Sequence, residues 1–300
     1  MGIGQYIKQI GRRAAARPLT REQASDLFAQ VLDGAVTDLE VGAFCLAMRL
    51  KGESADELCG FVEATQARLN RVPGSAKPLV VLPSYNGARR LPVLTPLLAL
   101  LLARGGASVL VHGTPTESGR VFAGAVLAEL GIHPLRELRR VDSGEAAYAP
   151  TALLSPALAR LLEARQLIGL RNSSHSVVKL INPCDGPAVI VTSYTHAEFG
   201  TAMGEVLERL GATALLLRAT EGEASADARR LPAMDGFVQG RRVHLADRQV
   251  GSLTGLPELP QDIDPETTAT YTEDVLAGRR PVPPAIALQV EHILRLAQPT

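Results

Sequence analysis

From residue 19 to residue 69 the apolar positions recur at helical spacing, interrupted by three polar starts. In LTREQASDLFAQVLDG, Leu27, Phe28, Val31 and Leu32 share one face. Thr20 is placed to cap the first turn, and Gln23 three residues on matches a capping box. Gly34 ends that helix. Thr37 or Asp38 opens the next, LEVGAFCLAMRLKG, and Ser54 opens ADELCGFVEATQARL. NRVPGSAKP, residues 70–78, then reads as a hinge. After it the period changes. Leu79–Leu82 is a short apolar run that fits a buried strand, 92–103 a helix, Ala107–His112 a strand, and 118–130 a helix ending at Gly131. Ala188–Thr192, 196–210 and Thr213–Leu217 repeat the strand–helix–strand order. A strand pair is expected around Gly236–Ala246, with closing helices near 268–277 and 284–296. Strands alternating with helices predict an α/β fold with a mainly parallel central sheet, preceded by a small helical part.

Composition narrows the class. The chain has 300 residues, 46% hydrophobic and 21% charged, with 31 basic residues against 31 acidic ones. That excludes a disordered chain and argues against a wholly basic nucleic-acid coat, though not against a local patch. Only Lys8, Lys51, Lys77 and Lys179 are lysines, so 27 of the 31 basic residues are arginines. They include the pairs Arg12-Arg13, Arg89-Arg90, Arg139-Arg140, Arg229-Arg230, Arg241-Arg242 and Arg279-Arg280. Guanidinium forks suit phosphate and carboxylate. Cys45, Cys59 and Cys184 form no CxxC pair and read as buried thiols in a reducing compartment. The first residues lack the apolar core of a signal peptide, and the longest apolar stretch, Leu91–Ala103, is too short to span a bilayer. A cytoplasmic protein is expected.

Generic catalytic motifs are absent: no GxGxxG, GxxxxGK[ST], GxSxG or HExxH occurs, and the six histidines show no ligand spacing. The chemistry is therefore expected at the carboxyl ends of strands, where open parallel sheets bind ligands. Two such loops are polar. Ser84-Tyr85-Asn86-Gly87-Ala88-Arg89-Arg90 follows one strand; His112-Gly113-Thr114-Pro115-Thr116-Glu117-Ser118-Gly119-Arg120 follows another. Amides at a helix start, hydroxyls and arginines together suit an anion.

This order of segments resembles the anthranilate phosphoribosyltransferase family and its relatives, the pyrimidine-nucleoside phosphorylases. Four stretches carry the resemblance. They are LTREQASDLFAQVLDGAVTDLEVGAFCLAMRLKGESADELCGF, VLVHG (109–113), GLRNSSHSVVKLINP (169–183) and YTHAEFGTAMGEVLERLGATALLLRATEGE (194–223). Together they imply a helical domain over 1–72, joined by helices from about 155–185, a hinge near 70–78, and an α/β glycosyltransferase-like domain over 78–300. The family's phosphoribosyl diphosphate loop, Gly-Thr-Gly-Gly-Asp, is matched here by Ser84, Tyr85, Asn86, Gly87 and Ala88. Two glycines and the aspartate are gone, and a tyrosine is expected to crowd a diphosphate. Of the family's Lys-His-Gly-Asn-Arg only His112 and Gly113 remain, with Val111, Thr114 and Pro115 at the other places. The family's adjacent Asp-Glu pair, which holds magnesium, is matched by Glu221-Gly222-Glu223. Arg171 matches the arginine near the anthranilate carboxylate.

These departures resemble the YbiB-type branch, which keeps the fold, loses the tryptophan-pathway chemistry and binds DNA or RNA without sequence preference. The resemblance implies a non-catalytic homodimer joined through the helical domain, with DNA or RNA backbone as partner and no cofactor. Candidate nucleic-acid contacts are Arg89, Arg90, Arg229, Arg230, Arg241 and Arg242. Candidate phosphate or anion contacts are Ser84, Tyr85, Asn86, Gly87, His112, Gly113, Thr114, Arg120 and Arg171. The alternative is a glycosyl- or phosphoribosyltransferase of the same family with an altered substrate; it would need Mg²⁺, for which Glu221 and Glu223 are the candidates.

Overall fold

The structure, a computed structural model, describes residues 2–12, 15–252 and 255–298. Arg13, half of the first arginine pair, lies outside them. The amino-terminal part is four helices: α1 (Gly4–Ile10), α2 (Arg21–Leu32), α3 (Asp38–Lys51) and α4 (Ala55–Gln66). Thr20, Thr37 and Ser54 each cap a helix and complete a capping box with Gln23, Glu40 and Glu57. Two orphan amides per helix start are thereby satisfied reciprocally. The Glu57 carboxylate is fully buried, so its charge needs partners; it accepts from the amides of Leu19 and Ser54 and from Lys51 Nζ at 2.6–2.9 Å. Phe28, Phe44 and Phe61 form the aromatic centre of this part, Phe28 stacking on Phe61 at 4.7 Å.

Seven strands form the main sheet: β2 (Leu79–Ser84), β3 (Ser108–Gly113), β4 (Ala146–Pro150), β6 (Ala188–Tyr194), β7 (Ala214–Arg218), β8 (Met234–Val238) and β9 (Arg241–Ala246). Their order is β4-β3-β2-β6-β7-β8-β9. The first five are parallel; β8 and β9 add an antiparallel edge. A second, two-stranded parallel pair, β1 (Val72–Pro73) with β5 (Cys184–Asp185), ties the hinge to the chain entering β6.

Side chains alternate between faces along each strand. Leu79, Val81, Leu110, Ile190 and Leu216 face α10 (Ala197–Arg209) and the amino-terminal helices. Val80, Leu82, Val109, Val191 and Leu215 face α5 (Thr95–Arg104), α6 (Ala123–Glu129), α11 (Pro265–Leu276) and α12 (Pro284–Leu296). Both faces are covered, which is why the strands read as continuous apolar runs. The chain between β4 and β5 makes α7 (Thr151–Leu154), α8 (Pro156–Ile168) and α9 (Ser174–Val177), whose apolar side chains join the core of the amino-terminal helices.

Two helices start later than their apolar runs: 92–103 becomes Thr95–Arg104 and 118–130 becomes Ala123–Glu129. Proline at residue 96 seats in the first turn, where its missing N–H is harmless, while Pro92 keeps the preceding residues out of the helix. Both displaced starts lengthen the loops at the strand ends. The strand order reverses direction between β2 and β6, since β2 leads through α5 to one side and β6 through α10 to the other. The β2–β6 ladder stops at Val81↔Ile190, although β2–β3 continues to Ser84↔Gly113. Pro83 offers the ladder no N–H. The two strands part there, and a crevice opens at their carboxyl ends.

Helices α2 and α4 approach closely because residue 60 is glycine. A Cβ there would lie 2.3 Å from the Arg21 carbonyl oxygen and 2.8 Å from the Ser25 amide nitrogen. Gly60→Ala is expected to destabilise the protein by about 1–3 kcal/mol through forced separation of the helices, read as a lower urea midpoint.

Candidate anion-binding crevice

The loop after β2 points its backbone amides into the crevice, and they already hold an anion. Glu223 Oε1 accepts from the amides of Asn86 (2.9 Å) and Gly87 (2.8 Å). Its Oε2 accepts from Ser84 Oγ (2.6 Å) and from Thr95 Oγ1 (3.1 Å) in the first turn of α5. The Ala88 amide donates to the Val121 carbonyl, and Glu221 accepts from the three amides after it, Arg89 (2.9 Å), Arg90 (3.2 Å) and Leu91 (3.2 Å). Two carboxylates of the loop leaving β7 thus fill the cradle that the sequence reserved for an external anion. Gly222 between them has φ +78°, and a Cβ there would sit 1.8 Å from Asn86 Nδ2. Glycine is what lets both flanking carboxylates reach the same loop. Lys179 Nζ donates to the Gly222 carbonyl at 2.9 Å and lies beside Glu223. Burial pushes its pKa down to about 8, which Glu223 opposes.

The second strand-end loop is also satisfied from within. Glu117 accepts from Arg120 Nε (2.7 Å) and pairs with Arg165 of α8 (2.9 Å), with Arg89 at 3.9 Å. Burial alone would raise the Glu117 carboxyl, but Arg165 and Arg120 hold it below its usual range. Arg165 Nη1 is buried and has no partner. Arg171 is held below the usual guanidinium range, first by burial and then by repulsion from Arg165, Arg120 and Arg49, with Glu117 opposing. Three arginines, Arg120, Arg165 and more loosely Arg89, therefore pair with one glutamate, and Arg171 lies near enough to be repelled by two of them.

The sequence-derived candidates divide accordingly. Ser84, Asn86 and Gly87 do form an anion cradle, with an internal carboxylate in it. Arg120 pairs with Glu117, Arg171 is near enough to be repelled by Arg120, and Arg89 borders the cluster. Arg90 adds its amide to the Glu221 contact. Tyr85 and His112 do not face a ligand, which corrects their assignment as anion contacts: they are 1% and 0% exposed. Thr151 Oγ1 donates to Tyr85 Oη (3.0 Å), which is also hydrogen-bonded to His112 Nδ1 (2.8 Å). Burial raises the phenol pKa and pushes the imidazole down to about 3, so both stay neutral. Tyr85 therefore does not crowd a diphosphate; its ring is turned into the core. Gly113 serves strand packing, since a Cβ there would lie 2.1 Å from the Ser84 carbonyl oxygen, and Thr114 is half-buried beside it. Arg229 pairs with Asp227, Arg230 donates to the Gly251 carbonyl, and Arg242 pairs with Asp235. Arg241 and Arg242 lie on the edge strand β9, away from the crevice. Glu117, Arg165, Lys179 and Arg49 are the site residues the sequence did not single out; only the Glu-Gly-Glu spacing carried a local signal.

The donor set does not fit a magnesium diphosphate. Each oxygen of both carboxylates is already taken by N–H or O–H donors, leaving no face for a metal, and the described residues contain no cluster of three or more acidic, histidine or cysteine ligands.

With this geometry in place, relatives are informative. A model of the glycosyl transferase family helical bundle domain matches residues 4–68. The chain belongs to the anthranilate phosphoribosyltransferase-like family. It is 38% identical to the Escherichia coli protein YbiB over 299 residues, 97% of this chain and 92% of that one. It is 26% identical to the anthranilate phosphoribosyltransferase of Methylobacterium radiotolerans, across 93% of this chain and 82% of the enzyme. Among solved structures, the anthranilate phosphoribosyltransferase of Thermus thermophilus superposes with a TM-score of 0.76 at 22% identity, covering 98% of this chain and 90% of that one. The Saccharomyces cerevisiae enzyme in complex with PRPP and Mg does so at 0.72 and 12%, covering 99% and 88%. Both show the shared fold, a helical domain followed by a mainly parallel sheet domain.

Removing the Glu223 carboxylate leaves two amides and two hydroxyls buried without an acceptor. Glu223→Ala is expected to destabilise the protein by about 3 kcal/mol or more, lowering Tm by roughly 5–10 °C. Added acetate or phosphate is expected to restore part of that loss in the variant and to leave the parent unmoved, in thermal melts at matched ionic strength.

Proposed function

We propose that the protein is a non-catalytic member of its family that binds the backbone of DNA or RNA as a homodimer. The observation that carries this reading is the arginine cluster: Arg89, Arg120 and Arg165 on a single Glu117, with Arg171 close by and one guanidinium nitrogen buried and unpartnered. Such a cluster suits phosphodiesters, each singly charged and contacted from the side. The amide cradle that a diphosphate would need is occupied by Glu221 and Glu223, so a transferase would first have to expel both carboxylates. Net neutrality of the whole chain does not exclude a local patch, and some outer arginines, Arg229, Arg242 and Arg279, are paired locally.

Backbone binding releases counterions, so affinity falls steeply with salt, by about 0.9 log units per tenfold salt for each phosphate contact. Between about 50 and 300 mM salt, filter retention of a short DNA is expected to drop by at least tenfold. Arg89→Glu and Arg171→Glu are each expected to weaken binding by about tenfold and to flatten the slope by about one contact, whereas Arg241→Glu on the edge strand changes it less than about twofold. Salt-independent retention, or none at the lower salt, would overturn the reading.

The dimer is supported by α3. Leu39, Leu46 and Leu50 lie seven and four residues apart, on one helical face, and are 83%, 46% and 80% exposed. Such a stripe suits a two-fold copy of itself. Light scattering is expected to give a dimer mass for the parent and a monomer mass for Leu46→Arg/Leu50→Arg; a monomeric parent would exclude the assembly.

A further inference from the structure

The arch that carries Glu221 and Glu223 is tied to the last helix of the chain. Thr220 Oγ1 donates to Asp227 and closes the arch at its base. Between them the chain alternates. Ala224, Ala226 and Ala228 are buried in the same core as Ile286 and Ile293 of α12, while Ser225 and Asp227 are only half-buried. Contacts between apolar groups are non-directional and do not set a register. Gln289 of α12 does. Its side chain is 0% exposed, its Oε1 accepts from the Ala226 amide at 2.8 Å, and its Nε2 donates to the Ala224 carbonyl at 2.7 Å. The two bonds bracket Ser225 as a neighbouring strand would. A primary amide is costly to bury unless it is paired, and this one is paired at both ends to the chain immediately after Glu223.

The same helix holds the donor side of the contact. Leu294 packs on Gly105 at the end of α5, where a Cβ would lie 2.7 Å from the leucine Cδ1. The first turn of α5 carries Thr95, whose hydroxyl donates to Glu223. Thus α12 grips the donors through α5 and the acceptors through Gln289.

We propose that α12 is a latch on the two carboxylates, with Gln289 the positioning residue that keeps Glu221 and Glu223 in register with the loop after β2. Glu223 reaches the amides of Asn86 and Gly87 while Gln289 fixes the chain one residue further on. When α12 undocks, the arch is freed and both carboxylates leave their donors together. The coupling is reciprocal: if docking of α12 stabilises the carboxylate contact, the contact stabilises the docked helix by the same factor. The latch stands whether or not the protein binds nucleic acid.

The test is amide hydrogen exchange of the full chain, read by mass spectrometry on peptides spanning the loop after β2, the arch and α12. Gln289→Met keeps the length of the side chain and drops both hydrogen bonds. It is expected to speed exchange of the amides that hold the carboxylates, Asn86, Gly87 and Arg89 to Leu91, by about tenfold, with α4 unchanged. Gln289→Glu has the parent's shape but turns an oxygen on the Ala224 carbonyl, and is expected to act in the same direction; it carries the test if the methionine variant does not fold. Val275→Ala, in the same core but on α11, controls for general loosening and is expected to change those amides by less than about twofold. In the reverse direction, Glu223→Ala is expected to speed exchange in α12 by about the factor that Gln289→Met produces at the loop. Unchanged loop exchange in the Gln289 variants, equal acceleration in Val275→Ala, or unchanged α12 exchange in Glu223→Ala each overturns the latch.

Discussion

Seven backbone and side-chain donors converge on two carboxylates where β2 and β7 release their loops. The chain from Ser84 to Leu91 is wrapped around Glu221 and Glu223. Buried amides demand acceptors, and an ionised acceptor makes the stronger bond. The contact closes a sequence separation of more than 120 residues and so joins the two halves of the sheet domain at their reversal point. Lys179 then fixes the carbonyl between the glutamates from below. The crevice keeps its shape because it carries its anions with it.

A chain of zero net charge can still present a charged surface if the pairing is uneven. Along the periphery, Arg209 with Asp56, Arg229 with Asp227, Arg242 with Asp235 and Arg279 with Asp274 neutralise one another. Exposed pairs of this kind add little stability. What they do is remove those arginines from the long-range field. Arg89, Arg120 and Arg165 gather instead on the single Glu117 after β3.

The helical part was legible because its signals are local. Thr20, Thr37 and Ser54 each name their own helix start within three residues. The parallel sheet was legible from apolar runs, except β4: Ala146–Pro150 is alanine-rich with no β-branched residue, and it is held by pairing to β3 and by the Tyr148 hydroxyl on the Gly113 carbonyl. The site was half legible. The loop after β2 was read as donors for an anion, but nothing near it in the chain says that Glu223 fills it. Tyr85 was misread for a related reason: one residue after a strand end, its direction depends on Thr151 and His112, far away in sequence.

The internal carboxylates also bear on ancestry. A protein that has replaced a departing ligand with its own side chains cannot regain that ligand one substitution at a time. Neutralising Glu223 alone strands buried donors, while restoring glycines to the loop alone leaves the negative charges in the way. The two loops are committed to each other.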